Sequence, residues 1–414
     1  MSYRYIILFT FTLLVLGVLD VYLVKSLKST LSKKAYLILK WFIPLTTFLF
    51  LFDFVLQIIR GSQHIYNANT FINVTFGLSI GFFFTKLVMS IFFLIEDFVR
   101  IGYWAGKSIS KQRKADFPSR RNFMKTLSLS AASIPLLGSI YAVTKGKYNY
   151  HVKRVELFLD RLPSSFDGLR VVQFSDFHAG SFDDHNQVKQ GLALIREENP
   201  DVVLFTGDLV NNRAIEAHPY EDILKTIPAK YAKLAILGNH DYGDYIAFDN
   251  PEERQQNLEE LEAIFQRTGF KLLKNENFQL DNGSDILDII GVENWGTGPF
   301  PKYGDIDKAS VGTNDTRFNI LLSHDPDHWE YIIRKHPKFF DLTLSGHTHG
   351  AQMGVEIPGW KWSPVKYRYK RWLGLYKEDK RYLFVSKGFG FLGFPGRIGM
   401  WPEIVVFTLR KNSE

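Results

Sequence analysis

Lys233-Leu234-Ala235-Ile236-Leu237-Gly238-Asn239-His240-Asp241 sets a short apolar run against an abrupt polar corner. The first five residues read as a buried strand. The glycine lets the backbone turn sharply before side chains that can hold a metal or move a proton. The same construction recurs along the chain. Leu169–Phe174 reads as a strand and runs into Asp176-Phe177-His178, and Asp201–Thr206 runs into Gly207-Asp208. Phe318–Ser323 runs into His324, and Leu342–Ser345 into Gly346-His347-Thr348-His349. Ligand-type residues therefore collect at the C-terminal ends of five predicted strands, where open α/β sheets place their sites. Five of the eleven histidines fall there, with two aspartates and an asparagine, and that joint pattern outweighs the weakness of each motif alone.

Between these strands the texture is amphipathic. Helices are predicted near Asn186–Glu198, Tyr220–Thr226 and Pro251–Thr268, and further strands at Lys271–Leu273, Ile286–Gly291, Tyr382–Ser386 and Glu403–Leu409. Strands alternating with helices argue α/β layering. In extended chain, residues i and i+2 point to the same side. Asp176 and His178 are therefore expected to face one metal together, and His347 and His349 both to face the site. Carboxylate oxygen combined with imidazole nitrogen suits Mn, Fe, Zn or Co better than Ca. The chain has no cysteine, so thiolate metal sites and disulfides are excluded.

The series Asp-x-His, Gly-Asp, Gly-Asn-His-Asp, His and Gly-His-Thr-His resembles the calcineurin-like metallophosphoesterase superfamily. The resemblance implies a sandwich of two mixed β-sheets flanked by helices over residues 148–414, hydrolysis of phosphate esters, and a centre of two divalent metal ions at the strand ends. Carried over by motif, Asp176, His178 and His349 hold the first ion, Asn239, His324 and His347 the second, and Asp208 bridges both. His240 then sits beside the leaving group. The blocks Gly374-Leu375-Tyr376, Val385–Gly390, Pro395-Gly396-Arg397 and Pro402-Glu403-Ile404 resemble a bacterial subgroup of membrane-associated or twin-arginine-exported phosphoesterases, which includes enzymes acting on UDP-diacylglucosamine. Two readings stay open for Arg397: contact with substrate phosphate, or a structural role at a Gly-rich turn. Asn211 stands where protein phosphatases of the superfamily have the Asp that orients the catalytic His. That argues against a phosphoprotein substrate and leaves open what orients His240.

The N-terminal third differs in kind. Tyr5–Val24, Trp41–Ile59 and Phe71–Ile95 are each long and apolar enough to cross a hydrocarbon core as a helix, which takes roughly 20 residues. Leu127–Val143 is a shorter fourth candidate, read as a span or as an export signal. Ser119–Lys125 looks like a twin-arginine signal, with Arg120 and Arg121 paired ahead of Phe123, Met124 and Lys125. Lys25, Lys28, Lys33 and Lys34 crowd the first loop, and Lys107 to Lys125 the third, whereas Gly61–Thr70 has no Lys or Arg. Positive charge marks the cytoplasmic side. A multi-pass protein of the cell (inner) membrane is expected, with its catalytic domain outside. Asp20, Asp53 and Lys86 lie within the apolar runs, where an internal ion pair or snorkelling is expected.

Charge divides at the same boundary. Residues 1–150 hold 18 Lys+Arg against 5 Asp+Glu, and the remainder 32 against 38. The predicted catalytic half is mildly acidic, so no nucleic-acid partner is expected. The expected partners are the bilayer and a phosphate-ester substrate that is either a lipid-linked diester or pyrophosphate, or one of many phosphomonoesters. A non-catalytic metal-binding membrane protein is disfavoured because the bridging Asp, the Asn and the site His are all present. Transport by the helical third lacks the inverted repeats and broken helices that accompany it. Among the tail aromatics, Trp360, Trp362, Trp372, Phe389, Phe391, Phe394 and Trp401 are candidates for a lipid-facing lip, with packing under long loops as the alternative.

Overall fold

The computed structural model describes residues 3–28, 31–62, 70–110, 118–298 and 301–412. The chain divides into two compact units, the helical one ending at Thr144 and the second running from Lys145. The helical unit has α1 (Tyr3–Lys28), α2 (Lys33–Ser62), α3 (Thr70–Ser110) and α4 (Pro118–Thr144). Each contains a stretch apolar and long enough to span a bilayer: Thr10–Lys28, Lys33–Leu56, Thr70–Ala105 and Thr126–Thr144. The fourth candidate thus joins the other three. The paired arginines lie in the first turns of α4. Lys111, Arg113 and Lys114 lie outside the described residues.

Polar groups inside the helical unit are paired with one another. Lys86 Nζ lies 2.8 Å from Asp20 Oδ1 and also reaches Thr47 Oγ1 and the carbonyl of Ile43. Thr47 donates back to Asp20 Oδ2 at 2.6 Å, which ties α1, α2 and α3 at one level. The expected ion pair is therefore found for Asp20 and Lys86, while Asp53 accepts from Ser79 instead. Such pairing is what makes ionisable groups tolerable in an apolar medium. Close packing of α3 on α4 rests on Gly77 and Gly81, one turn apart. A Cβ on Gly77 would meet Val143 at 2.1 Å, and one on Gly81 would meet Ser139 at 2.7 Å. Small residues at this spacing let two membrane helices approach closely.

The second unit is a sandwich. In chain order it begins with β1 (His151–Leu159), β2 (Leu169–Phe174), α5 (His185–Glu197), β3 (Val202–Thr206), α6 (Glu221–Lys225), β4 (Ala232–Ile236), α7 (Pro251–Arg267) and β5 (Lys271–Leu272). It continues with β6 (Glu276–Asp281), β7 (Ile286–Gly291), α8 (Ile306–Ala309), β8 (Asn319–Leu322), α9 (Pro326–Tyr331) and β9 (Leu342–Ser345). A hairpin of β10 (Val355–Ile357) and β11 (Trp360–Trp362) follows, then β12 (Gly374–Glu378), β13 (Arg381–Val385) and β14 (Glu403–Lys411). One six-stranded sheet has the order β1-β14-β2-β3-β4-β5 and the other β12-β13-β9-β8-β7-β6. Both are mixed: β14 is antiparallel to β2 in the first, and β12 and β6 are antiparallel edges of the second. The expected two-sheet α/β sandwich is what forms.

Alternation explains the layering. Val202 and Leu204 of β3, Val171 of β2, Ile320 and Leu322 of β8 and Val405 and Phe407 of β14 share the core between the sheets. Their neighbours Val203, Phe205, Val172, Phe174 and Val406 face the opposite way, onto a cluster that includes Val188, Leu192 and Ile195 of α5 and Leu261 and Ile264 of α7. Strands buried on both faces have continuous apolar runs, which is why they were legible. The strands not foreseen are β1, β6, β10, β11 and β12. They lie at sheet edges or outside the sheets and alternate apolar with charged residues.

The α3–α4 contact is testable. Gly81→Leu is expected to destabilise the helical unit by about 1–3 kcal/mol through overpacking. Gly17→Leu, with nothing within 4 Å of its Cβ, is expected to be neutral. Thermal unfolding of the full chain in detergent checks this, and equal melting of the two variants would exclude the close approach.

Candidate metal centre

The loops after β2, β3, β4, β8 and β9 bring the foreseen residues to one rim of the sandwich. Their backbones interlock first. Asp176 N–H donates to the Gly207 carbonyl at 2.9 Å, His178 N–H to the Asp208 carbonyl at 3.1 Å, and Gly346 N–H to the His324 carbonyl at 3.0 Å. A link between the sheets follows from His347 N–H, which donates to Asp176 Oδ1 at 2.8 Å.

The expected extended geometry of the two His motifs is not what the structure has. Asp176, His178, Asp208, His347 and His349 all have φ between 50° and 72°, in the left-handed region. Alternate left-handed residues, not a straight strand, turn Asp176 and His178 to one place. This conformation is uncommon without glycine and costs of order 1–3 kcal/mol per residue, and it concentrates at functional sites. Glycine is required beside these residues for space. A Cβ on Gly238 would lie 2.2 Å from Asp208 Oδ1, and one on Gly346 2.2 Å from Asp176 Oδ2.

Two groups of donors result. Asp176, His178 and His349 bring ligand atoms within 4.8 Å of one another, and so do Asp208, His324 and His347. Asn239 joins the second, its Oδ1 2.8 Å from His347 Nδ1. Asp208 lies between the groups: Oδ2 is 3.0 Å from His324 Nε2 and 3.7 Å from His178 Nε2. A third group, His218, Glu221 and Glu260, lies nearer the surface, and there Arg267 already compensates both carboxylates.

The donor set fits two cations. His178 Nε2 and His349 Nε2 face each other at 3.0 Å. Two metal–nitrogen bonds of about 2.1 Å at a right angle put their donors about 3 Å apart. Asp176 Oδ2 is buried and has no hydrogen-bond partner, and such an atom is costly unless something positive meets it. Burial holds His178 and His347 down at about 3, and lowers His349 and His240 as well. The neutral imidazole that this favours is the form that binds a metal. Burial alone would lower His324 too, but the Asp208 carboxylate outweighs it and lifts His324 to about 10. In return, although burial raises Asp208, His324 and His240 hold it well below the carboxylate range.

What orients His240 is a backbone group. Its Nδ1 lies 2.8 Å from the Asn211 carbonyl. A carbonyl only accepts, so Nδ1 carries the proton and Nε2 is left to exchange one. The Asn211 side chain serves elsewhere, with Oδ1 3.1 Å from His178 Nδ1. Asp241 does not meet His240. Its buried carboxylate accepts from the N–H groups of Asp208, Leu209, Val210 and Gly238 at 2.8–3.2 Å and fixes the loop that carries Asp208. Arg397 takes the structural one of its two expected places. It is fully buried, and its guanidinium donates to the carbonyls of Gly390, Met400, Lys387 and Gly388 beside His349 Nδ1. No surface is left on it for a phosphate.

Four residues not singled out as site residues support the centre. Tyr369 Oη lies 2.8 Å from His347 Nε2, and Asp325 Oδ2 lies 3.4 Å from the same nitrogen. Partners of this kind fix which ring nitrogen faces a metal. Tyr245 stacks on His240 with centroids 4.2 Å apart and accepts from Asn239 Nδ2 at 2.6 Å, which turns Asn239 Oδ1 towards His347. Asp241 is the fourth. Of these, Asp241 and Asp325 had readable signals: Asp241 closes the Gly-Asn-His-Asp motif, and Asp325 caps α9 ahead of Pro326. The tyrosines had none.

Comparison with known proteins agrees with this geometry. Residues 169–351 match the family described as "Calcineurin-like phosphoesterase", and residues 3–147 match "Probable Calcineurin-like phosphoesterase, transmembrane domain". The uncharacterized metallophosphoesterase YkuE of Bacillus subtilis is 29% identical over 302 residues, 71% of this chain and 99% of its own. The uncharacterized metallophosphoesterase Cj0846 of Campylobacter jejuni is 26% identical over 98% of this chain and 99% of its own. UDP-2,3-diacylglucosamine pyrophosphatase LpxG of Chlamydia muridarum is 27% identical over 64% of this chain and 91% of its own. With the motifs of the hydrolase gathered at one rim and a four-helix membrane segment ahead of them, the chain is a membrane-associated calcineurin-like metallophosphoesterase.

Proposed function

We propose that the enzyme hydrolyses a phosphodiester or pyrophosphate bond of a lipid-linked substrate. The observation that carries the chemistry is Asp208, a buried carboxylate between two converging His/Asp groups. The lipid-linked class draws support from the membrane segment and from the LpxG relatives, whose names give a UDP-diacylglucosamine pyrophosphatase. We assign Asp176, His178 and His349 to one ion, Asn239, His324 and His347 to the other, and Asp208 to both. When bound there, two divalent ions of the Mn, Fe, Zn or Co class would supply charge to neutralise phosphate oxygens and to acidify a water.

The remaining chemistry belongs to the chain. With Nδ1–H held by the Asn211 carbonyl, His240 presents Nε2 as the atom that takes up a proton from water and then passes it to the leaving oxygen. Tyr245 packs flat against the ring and limits its rotation. Asp241 fixes the backbone at Asp208, so the carboxylate is in position before substrate arrives. Lys and Arg in the first and third loops support a cytoplasmic position for those loops and an extracytoplasmic one for the hydrolase domain.

Five outcomes are expected. With added Mn²⁺, the purified full chain in detergent should turn over bis-p-nitrophenyl phosphate faster than the monoester. Asp208→Asn should abolish turnover, and His240→Asn should lose at least about a hundredfold in rate while keeping its metal, read by elemental analysis. Monoester preference would favour a broad phosphatase, and lost metal in His240→Asn would move that residue into the ligand set. Asp241→Asn should lower stability by roughly 1.5–3 kcal/mol, because the amide cannot accept at both atoms from the Asp208 loop; an unchanged melting temperature would count against this role. Alkaline phosphatase fused after residue 414 should be active and a green fluorescent protein fusion dark; the reverse would put the domain inside.

A further inference from the structure

The β10–β11 hairpin is built inside out. Its register pairs Val355 with Trp362, Glu356 with Lys361 and Ile357 with Trp360. Directly paired residues share a face and successive residues alternate, so Val355, Ile357, Trp360 and Trp362 form one face and Glu356 and Lys361 the other. The charged face is the one turned to the body of the domain. Glu356 pairs with Lys387 Nζ at 2.8 Å and Lys153 Nζ at 3.1 Å, and Lys361 Nζ donates to the Leu373 carbonyl and reaches Tyr376 Oη. Three of the four apolar residues are turned out, Val355 being 40% exposed, Ile357 54% and Trp360 54%, while Trp362 is half-buried. Five residues beyond β11, Tyr367 is 76% exposed. A soluble surface hairpin has the opposite arrangement, and contiguous exposed apolar groups mark an interaction site.

We infer that this face docks into the interface of the bilayer that anchors the chain. Tryptophan and tyrosine favour that depth, and binding there grows with apolar area and with attraction to anionic lipid. Beside the apolar face Lys366 is exposed, and Arg368 and Lys370, though paired with Asp327 and Glu330, keep 49% and 70% of their side chains exposed. These exposed cations attract anionic lipid and repel their counterparts on a second copy, so a lipid surface is the complementary partner. The hairpin is also fixed to the metal loop. Ser363 Oγ donates to the Gly350 carbonyl at 2.7 Å, next to His349, and Tyr369 reaches His347 from the same segment. Docking therefore sets the distance between the metal centre and the lipid interface. This inference rests on the membrane anchor and holds whichever phosphate ester is cleaved.

The chain has no cysteine, so one introduced thiol reports one place. Ile357→Cys, carrying a nitrobenzoxadiazole label, is placed in the full chain in singly loaded nanodiscs of phosphatidylcholine and phosphatidylglycerol containing lipid nitroxides. Val311→Cys is the reference, 73% exposed and bonded to β6 at the far edge of the second sheet. Nitroxide quenching at 357 should be several-fold greater than at 311, fall when phosphatidylglycerol is omitted, and drop towards the reference when Trp360→Asp is added. Equal quenching at the two positions overturns the inference. So does a blue-shifted label at 357 that lipid nitroxides do not quench, which would mean that protein covers the face. Because no turnover is read, either result leaves the hydrolase assignment to its own tests.

Discussion

A carboxylate at the seam of two sheets is the constraint from which the catalytic unit follows. Asp208 leaves the end of β3 and is almost wholly buried. Burying a charge there costs several kcal/mol unless it is met by opposite charge and hydrogen bonds. Asp208 is met on both sides: His240 N–H donates to Oδ1 at 2.9 Å, and His324, at the end of β8 in the other sheet, lies 3.0 Å from Oδ2. The sheets are thereby held in register at their rim as well as through their apolar core. His324 keeps a proton beside Asp208, whereas burial keeps His178, His347 and His349 neutral and so able to bind a cation.

Holding five residues of the rim in left-handed conformations costs of order several kcal/mol. That cost is offset outside the site, by strands such as β3 whose residues are buried on both faces and whose layers lock against each other. Glycines at 207, 238 and 346 then matter for what they lack. A Cβ at 238 would displace the Asp208 carboxylate and one at 346 the Asp176 carboxylate, whereas one at 207 would meet His324 and the Gly238 backbone. The rim is specified by a rigid scaffold and by close approach of backbone to carboxylate, a combination that leaves little freedom once the sandwich has formed.

How much of this was legible follows from the same physics. Central strands have β-rich runs that end in ligand residues, so β2, β3, β4, β8 and β9 and their motifs could be read directly, and Leu342–Ser345 and Ile286–Gly291 match to the residue. Edge strands alternate with charge and resemble loops, which hid β6 and β12. The side-by-side placement of Asp176 and His178 was anticipated for the wrong reason: extended geometry was assumed where the backbone is left-handed. The orientation of His240 was not readable at all, because its partner is a carbonyl and every residue has one. Arg397 in its Gly-rich turn reads equally well as a phosphate ligand or a wedge, and only its burial decides. Of the tail aromatics, Trp372, Phe389 and Phe391 are core, whereas Trp360 is exposed.

That last contrast bears on how a membrane enzyme meets its substrate. Val-Glu-Ile and Trp-Lys-Trp alternate as any amphipathic hairpin does, and from pattern alone the apolar side would be placed inward. The fold reverses it because Lys387 and Glu403 are already buried beneath the hairpin. Lys387 Nζ lies 3.4 Å from Glu403 and needs a further carboxylate, which Glu356 supplies only if its face turns in. Once Glu356 is committed, the period of two forces Val355, Ile357 and Trp360 outward. The interior ion network thus dictates the exposed apolar face, and Ser363 and Tyr369 tie that face to the residues around the metal loop. Apolar contact with lipid and the position of the rim are thereby two ends of one rigid segment.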